Sequence, residues 1–217
     1  MVLNLNDFTK EVHQVAVEHG WYENKQSCDV DAIIALIHSE WSEALEEYRA
    51  GRPYVWFGCC RPDEADSERT LSATGVCGLG TIRAACEYWC EKPEGIMIEL
   101  IDGCIRILDF IGYKGWTVPE AFDTIDKLMK FAEQFHDDWF DVQSKNMLLP
   151  SLVRWLHWYT AEYEMDERVD DPMLTLLEAV GVALLWIKTH DCEPEDLLRM
   201  KHEYNKTRPY KHGGKRI

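Results

Sequence analysis

The chain has 217 residues, of which 46% are hydrophobic and 29% charged, and its formal net charge is −16. This hydrophobic fraction suffices for the core of one domain or of two small ones. The acidic balance argues against nucleic acid as the main partner, since binding a polyanion requires a basic surface. No basic segment followed by an apolar run opens the sequence, so we expect no signal peptide and a cytoplasmic protein.

Apolar periodicity and capping residues predict seven helices and little strand. The first is expected to be capped by Asn6 or Asp7 and to run to about His19, where Gly20 ends it. The others are expected at about 30–50, 94–113, 118–138, 148–165, 171–189 and 194–206, the fourth and the last with Pro-Glu in their first turns. The prediction is an all-α bundle with one long irregular insertion at 51–92.

Two apolar stretches, 147–159 and 174–187, are interrupted by proline, histidine or charged residues. Both are too short to span a bilayer, so we interpret them as core helices and expect no membrane association.

The third predicted helix carries its polar residues on one face. Glu99, Asp102, Arg106 and Asp109 stand at i, i+3, i+7 and i+10 in an otherwise apolar segment, which places them in line on a helix. A helix this apolar is buried, and buried carboxylates are costly unless they are paired or bind a cation.

The second predicted helix carries a matching acidic face with Glu40 and Glu43. If the two faces meet, four carboxylates converge beside Arg106, and all-oxygen ligands favour Mg²⁺ or Mn²⁺. The alternatives are a solvated face for Glu40 and Glu43, and simple ion pairs for the other two acids.

Near the C-terminus, Lys201, Asn205 and Arg208 stand at i, i+4 and i+7. One helix face would then offer an ammonium, an amide and a guanidinium group, which together suit a polyphosphate. The alternative is a frayed, solvated terminus. Trp21 follows a helix end, where its ring can either stack on a nucleobase or pack the first helix onto the bundle.

Together these residues stand in blocks that resemble the all-α nucleoside triphosphate pyrophosphohydrolases of the MazG-like group, which carry ExxE on one helix and ExxD on a later one. The resemblance covers about half of the chain. The blocks are HGWYE (19–23), the run 39–51, KPEG (92–95), ELxDxxIRILD (99–109) and KHEYNKTRPYKHGGKRI (201–217).

The resemblance implies a Mg²⁺-dependent hydrolase that converts a (d)NTP and water to the monophosphate and pyrophosphate. It implies that the catalytic, metal-binding residues are Glu40, Glu43, Glu99 and Asp102. It also implies that substrate phosphates are bound by Lys201, Asn205 and Arg208. Two alternatives stay open: a dUTPase-like enzyme that also accepts diphosphates, and a catalytically silent helical interaction module.

The insertion 51–92 departs from the family pattern by its length and its five cysteines. With Cys86 and Cys90 on a short helix, a tetrahedral Zn²⁺ site could form, although no CxxC pair is present. The alternative is a set of free thiols in a reducing cytosol. The cysteines concerned are Cys59, Cys60, Cys77, Cys86 and Cys90.

We divide the chain into a catalytic helical half, 1–117, and a second helical half, 118–217. The second half loosely repeats the first, with Tyr159 opposite Glu40, Glu162 opposite Glu43, and Glu178 opposite Glu99. Members of the resembled family usually build their bundle from two chains. We therefore expect either a homodimer or a pseudo-dimer within one chain.

Overall fold

A computed structural model describes residues 2–23, 29–59, 71–73, 89–134, 147–163 and 171–211. Across these residues the chain is mostly helical, which confirms the all-α fold class. The helices are α1 (Leu5–Glu18), α2 (Val30–Arg49), α3 (Ile96–Lys114), α4 (Ile125–Ala132), α5 (Leu149–Glu162), α6 (Pro172–Thr189) and α7 (Pro194–Thr207). The strands are β1 (Val55–Cys59), β2 (Leu71–Ala73) and β3 (Trp89–Glu94).

Helix α3 lies at the centre of the bundle, in contact with α1, α2, α6 and α7. Its apolar residues are almost all buried, as its predominantly apolar sequence predicts. Helix α2 packs on both α3 and α5, and α5 packs on α6. Trp41 of α2 is fully buried and donates its indole N–H to Thr160 Oγ1 at 3.0 Å, which joins α2 to α5.

Helix α6 has 18 residues and is long and apolar enough, by composition alone, to cross a membrane. The expectation that this stretch is too short therefore does not hold. However, 67% of the segment is buried inside the bundle, and this position accounts for its composition.

The prediction of a fourth helix at 118–138 is wrong for residues 118–124, because the helix begins at Ile125. Residues 118–124 are not helical because their backbone groups bond to the start of α1: Leu5 N–H donates to the Asp123 carbonyl, and the Asn6 amide exchanges two hydrogen bonds with Val118. Thr124 caps α4 instead. The cap of α1 is likewise Asn4, whose Oδ1 accepts from Asp7 N–H, rather than Asn6 or Asp7.

The insertion 51–92 is not wholly irregular, because it contributes an antiparallel sheet of order β2-β1-β3. Cys90 lies in β3, so the short helix expected around it is wrong, since that backbone pairs with β1. The proposed Zn²⁺ site combines Cys86 and Cys90 with Cys77 and with Cys59 or Cys60, and of these Cys60, Cys77 and Cys86 lie outside the described residues. That site stays a prediction.

The predicted internal repeat has two contacts of the kind that a two-fold relation produces. His38 and His157 stack with their Nδ1 atoms 2.7 Å apart, and Trp41 bonds to Thr160. Each pair is separated by 119 residues, the same offset that aligns Glu43 with Glu162. The repeat itself stays a prediction.

Candidate functional site

The eight residues singled out from the sequence all line one cavity of about 290 Å³. The acids come from α2 and α3, the cationic and amide groups from α7 and its C-terminal end, and the indole from the segment after α1. These residues are Trp21, Glu40, Glu43, Glu99, Asp102, Lys201, Asn205 and Arg208. Segments nearly 200 residues apart in sequence thus meet around one pocket.

Three carboxylates form a compact group. Glu40, Glu43 and Glu99 each offer an oxygen atom, and these atoms all lie within 4.8 Å of one another. Glu40 and Glu99 are only 6% and 9% exposed, whereas Glu43 lies at the open side, where Ser39 Oγ donates to it at 3.2 Å. Like charges at this separation repel, so the arrangement favours a cation between them.

Asp102 does not belong to this group, and in this respect the structure differs from the predicted set of four ligands. Its Oδ2 accepts from Lys201 Nζ at 2.7 Å, and the Lys201 side chain is only 2% exposed. The sequence indicated Arg106 as the one nearby cation, and Arg106 does pair with Glu40. Lys201 is a second cation in the same cavity and, unlike Arg106, it is fully buried.

Burial dominates the ionisation of the buried acids. It raises the pKa of Glu99 to about 8, with the neighbouring Asp102 carboxylate adding to the effect. Burial likewise raises the pKa of Glu40, despite the opposing effect of Arg106. Burial alone would lower the pKa of Lys201, but Asp102 and the nearby glutamates raise it above its usual value. Lys201 is therefore a fixed positive charge.

Helix α7 presents the predicted phosphate-binding face to the cavity. Asn205 Oδ1 is buried there without a hydrogen-bond partner among the described residues. An unpaired buried polar atom costs free energy, so this position favours a hydrogen-bonding partner such as a water molecule or a ligand atom, in either orientation of the amide. The guanidinium of Arg208 lies 5.9 Å from the centre of the Tyr204 ring and also lines the cavity.

The segment after α1 lies against the C-terminal end of the described chain. Lys211 N–H donates to the His19 carbonyl at 3.0 Å, and Tyr210 donates its hydroxyl to Glu23. Gly20 has φ +81°, and a Cβ atom there would lie 2.3 Å from the Tyr210 ring, so this close approach requires glycine. These contacts hold Trp21 and Arg208 at the same cavity.

Sequence reasoning missed a second polar group in the cavity. Asp109 was placed on the polar face of α3, but its partners were not foreseen: His13 Nδ1 lies 2.8 Å from its Oδ1, and the Tyr22 hydroxyl donates to its Oδ2 at 2.8 Å. The only indication in the sequence is the i+10 position of Asp109 behind Glu99.

Comparison of the chain with protein-family models, with curated proteins and with solved structures finds no match.

Proposed function

We propose that the chain is a Mg²⁺-dependent nucleoside triphosphate pyrophosphohydrolase, as the resemblance of its sequence blocks implies. One observation carries the proposal. A group of three carboxylates shares a cavity with an ammonium, a guanidinium and an amide whose oxygen has no partner among the residues that the structure describes, all three from the other end of the chain. A divalent cation suits the first set and a polyphosphate the second.

The residues present fit a divalent cation. The donor set is all oxygen, which Mg²⁺ and Mn²⁺ prefer. When all four carboxylates are ionised, the ion pairs of Arg106 and Lys201 leave two negative charges, which one divalent cation would neutralise. Glu40, Glu43 and Glu99 would hold the ion, with Asp102 kept as the expected fourth ligand. Bound there, the ion neutralises phosphate charge and lowers the pKa of a water molecule.

The chain's own groups then account for binding and proton transfer. Lys201 and Arg208 contact the phosphates and stabilise charge on the pyrophosphate leaving group, and Asn205 fixes the position of the polyphosphate. Water attacks the α-phosphorus while the bond from that phosphorus to the bridging oxygen breaks. Glu43 accepts the proton on a carboxylate oxygen, because Glu40 is held by Arg106.

The experiment that tests this function measures pyrophosphate release from all common NTPs and dNTPs, with Mg²⁺ and with EDTA. We expect release that requires Mg²⁺ or Mn²⁺ and is strongest for one or a few nucleotides. Absence of release from folded protein across the whole panel with both metals would overturn the proposal.

A further inference from the structure

The cavity has two chemically different ends. Glu43 groups with Glu99, Trp41 lies against Gly103, and Glu40, which also belongs to the Glu99 group, reaches Arg106. Residue numbers on α2 thus fall as those on α3 rise, so the two helices are antiparallel. Cavity residues that precede Glu40 on α2 therefore lie toward the Asp109 end of α3. Those residues are Ile33, Leu36 and Ser39, and the two farthest from Glu40 along the helix, Ile33 and Leu36, are apolar.

Apolar side chains from other elements also line the cavity. One of them is Val12 on α1, which precedes His13, the residue that bonds to Asp109. Another is Ile105 on α3. Glu99 and Asp109 are ten residues apart on one helix, which corresponds to about 15 Å along its axis. The charged end and the Asp109 end are thus separated by a span comparable with the length of a nucleotide. Mostly apolar lining with a few fixed polar groups is typical of small-molecule pockets.

Asp109 is held firmly in this end. His13 and Tyr22 bond to different oxygens of its carboxylate, and Tyr22 is itself stacked on Tyr113 at 5.0 Å. The Asp109 side chain is 20% exposed and lines the cavity. Each oxygen of a carboxylate can accept two hydrogen bonds, so Asp109 retains acceptor capacity after its two protein donors are counted.

We propose that the nucleoside part of the substrate lies at this end of the cavity, and that Asp109 accepts a hydrogen bond from one of its O–H or N–H groups. Asp109 is then a specificity residue that touches the substrate, while His13 and Tyr22 are positioning residues. This inference rests on the proposed function. A sugar hydroxyl and a base N–H both supply the required donor, and the test below separates them.

The experiment measures kcat and KM for ribo-, deoxyribo- and 2′,3′-dideoxyribonucleoside triphosphates of each base, for the wild type and for Asp109→Asn. We expect the wild type to disfavour substrates that lack the donor by about ten- to a hundredfold in kcat/KM. If kcat/KM falls when the sugar hydroxyls are removed, the donor is a hydroxyl group. If kcat/KM falls when the base is changed, the donor is a base N–H. In Asp109→Asn this discrimination should fall at least about fivefold, mainly through KM, because a neutral amide is a weaker acceptor.

Asp123→Asn is the matched control. Asp123 is equally shielded, with 19% of its side chain exposed, and pairs with Lys127, but it does not line the cavity. Tyr22→Phe provides a second variant that keeps the stacked ring and removes only the hydroxyl donor, so a smaller change in the same direction is expected. This variant decides the question if Asp109→Asn fails to fold.

Two results would overturn the inference: a wild type that turns over all sugars and bases equally, or variants that slow every substrate by one common factor. Wild-type protein without turnover of any nucleotide would instead contradict the proposed function, so the two failures are distinguishable.

Discussion

Glu99 ionises at a very different pH in the folded chain from a glutamate in water. Its pKa is raised from 4.5 to about 8 by burial and by Asp102. In the metal-free protein between pH 4.5 and pH 8, the Glu99 carboxyl stays protonated in the folded state but is ionised in the unfolded state. This contribution to stability is fully present below pH 4.5 and is lost as the pH rises through 8.

We therefore expect the free energy of unfolding of metal-free protein to fall between pH 5 and pH 8 by about 3 kcal/mol more in the wild type than in Glu99→Gln. Thermal unfolding in EDTA at several pH values measures the difference. Mg²⁺ should raise the Tm of the wild type more at pH 8 than at pH 6, because it favours the ionised carboxylate. Identical pH profiles for wild type and Glu99→Gln would contradict this assignment.

Glu43 tests the metal site with little effect on folding, because it is an exposed member of the carboxylate group. We expect Glu43→Gln to lower kcat/KM about a hundredfold or more, since an oxygen ligand and the proton acceptor are both lost. Steady-state pyrophosphate release measures it, with circular dichroism as a check on helix content. Glu46→Gln is the control, because Glu46 lies on the same helix, is 67% exposed and pairs with Arg49. Similar rates in both variants would remove Glu43 from the site.

For individual residues, helical periodicity sufficed to predict that one face of α3 carries Glu99, Asp102, Arg106 and Asp109. All four line the cavity. The pairing of Lys201 with Asp102 could not be predicted, because it depends on how α7 packs on α3. Sequence spacing within one helix carries no information on such a contact.

Among the elements, the pair α2 and α3 determines the geometry of the carboxylate group. Gly103 permits their close approach, since a Cβ atom there would lie 2.2 Å from the nearest atom of the Trp41 ring. Any side chain at this position would force α2 and α3 apart. The distance between Glu40 or Glu43 on one helix and Glu99 on the other would then increase.

We expect Gly103→Ala to destabilise the protein by about 1–3 kcal/mol through overpacking, although alanine normally favours a helix interior over glycine. Chemical denaturation measures the effect, and pyrophosphate release should fall with it. In a Trp41→Leu background, where the ring is removed, the same substitution should cost less, which a double-mutant cycle reveals. An increase in stability from Gly103→Ala alone would show that the helices do not touch there.

The sequence predicted α2, α3, α6 and α7 to within a few residues, because each has strong apolar periodicity and clear end signals. It failed at 118–124, where Pro119 and Glu120 suggested a first helical turn. There the backbone instead bonds to Asn4, Leu5 and Asn6, more than 100 residues away. The strands of the insertion were missed because β1 pairs with β2 and with β3, contacts between separate segments that the sequence of each segment does not reveal.

At the scale of the whole molecule, the site is assembled from both ends of the chain. The 19–23 segment and the residues after α7 meet through Gly20, Tyr210 and Lys211. Both blocks belong to the family resemblance, but the sequence gave no reason for them to be neighbours. A net charge of −16 would repel a polyphosphate, so local cations at Lys201 and Arg208, together with a bound divalent ion, are needed to reverse the field in the cavity.

Pyrophosphohydrolase activity requires water to attack the α-phosphorus, and this position of attack can be measured. Turnover with Mg²⁺ in water enriched in ¹⁸O, followed by ³¹P nuclear magnetic resonance, identifies both products and the phosphorus atom that receives the water oxygen. We expect equal amounts of nucleoside monophosphate and pyrophosphate, with the heavy oxygen in the monophosphate. Nucleoside diphosphate and inorganic phosphate, or heavy oxygen in the pyrophosphate, would contradict it.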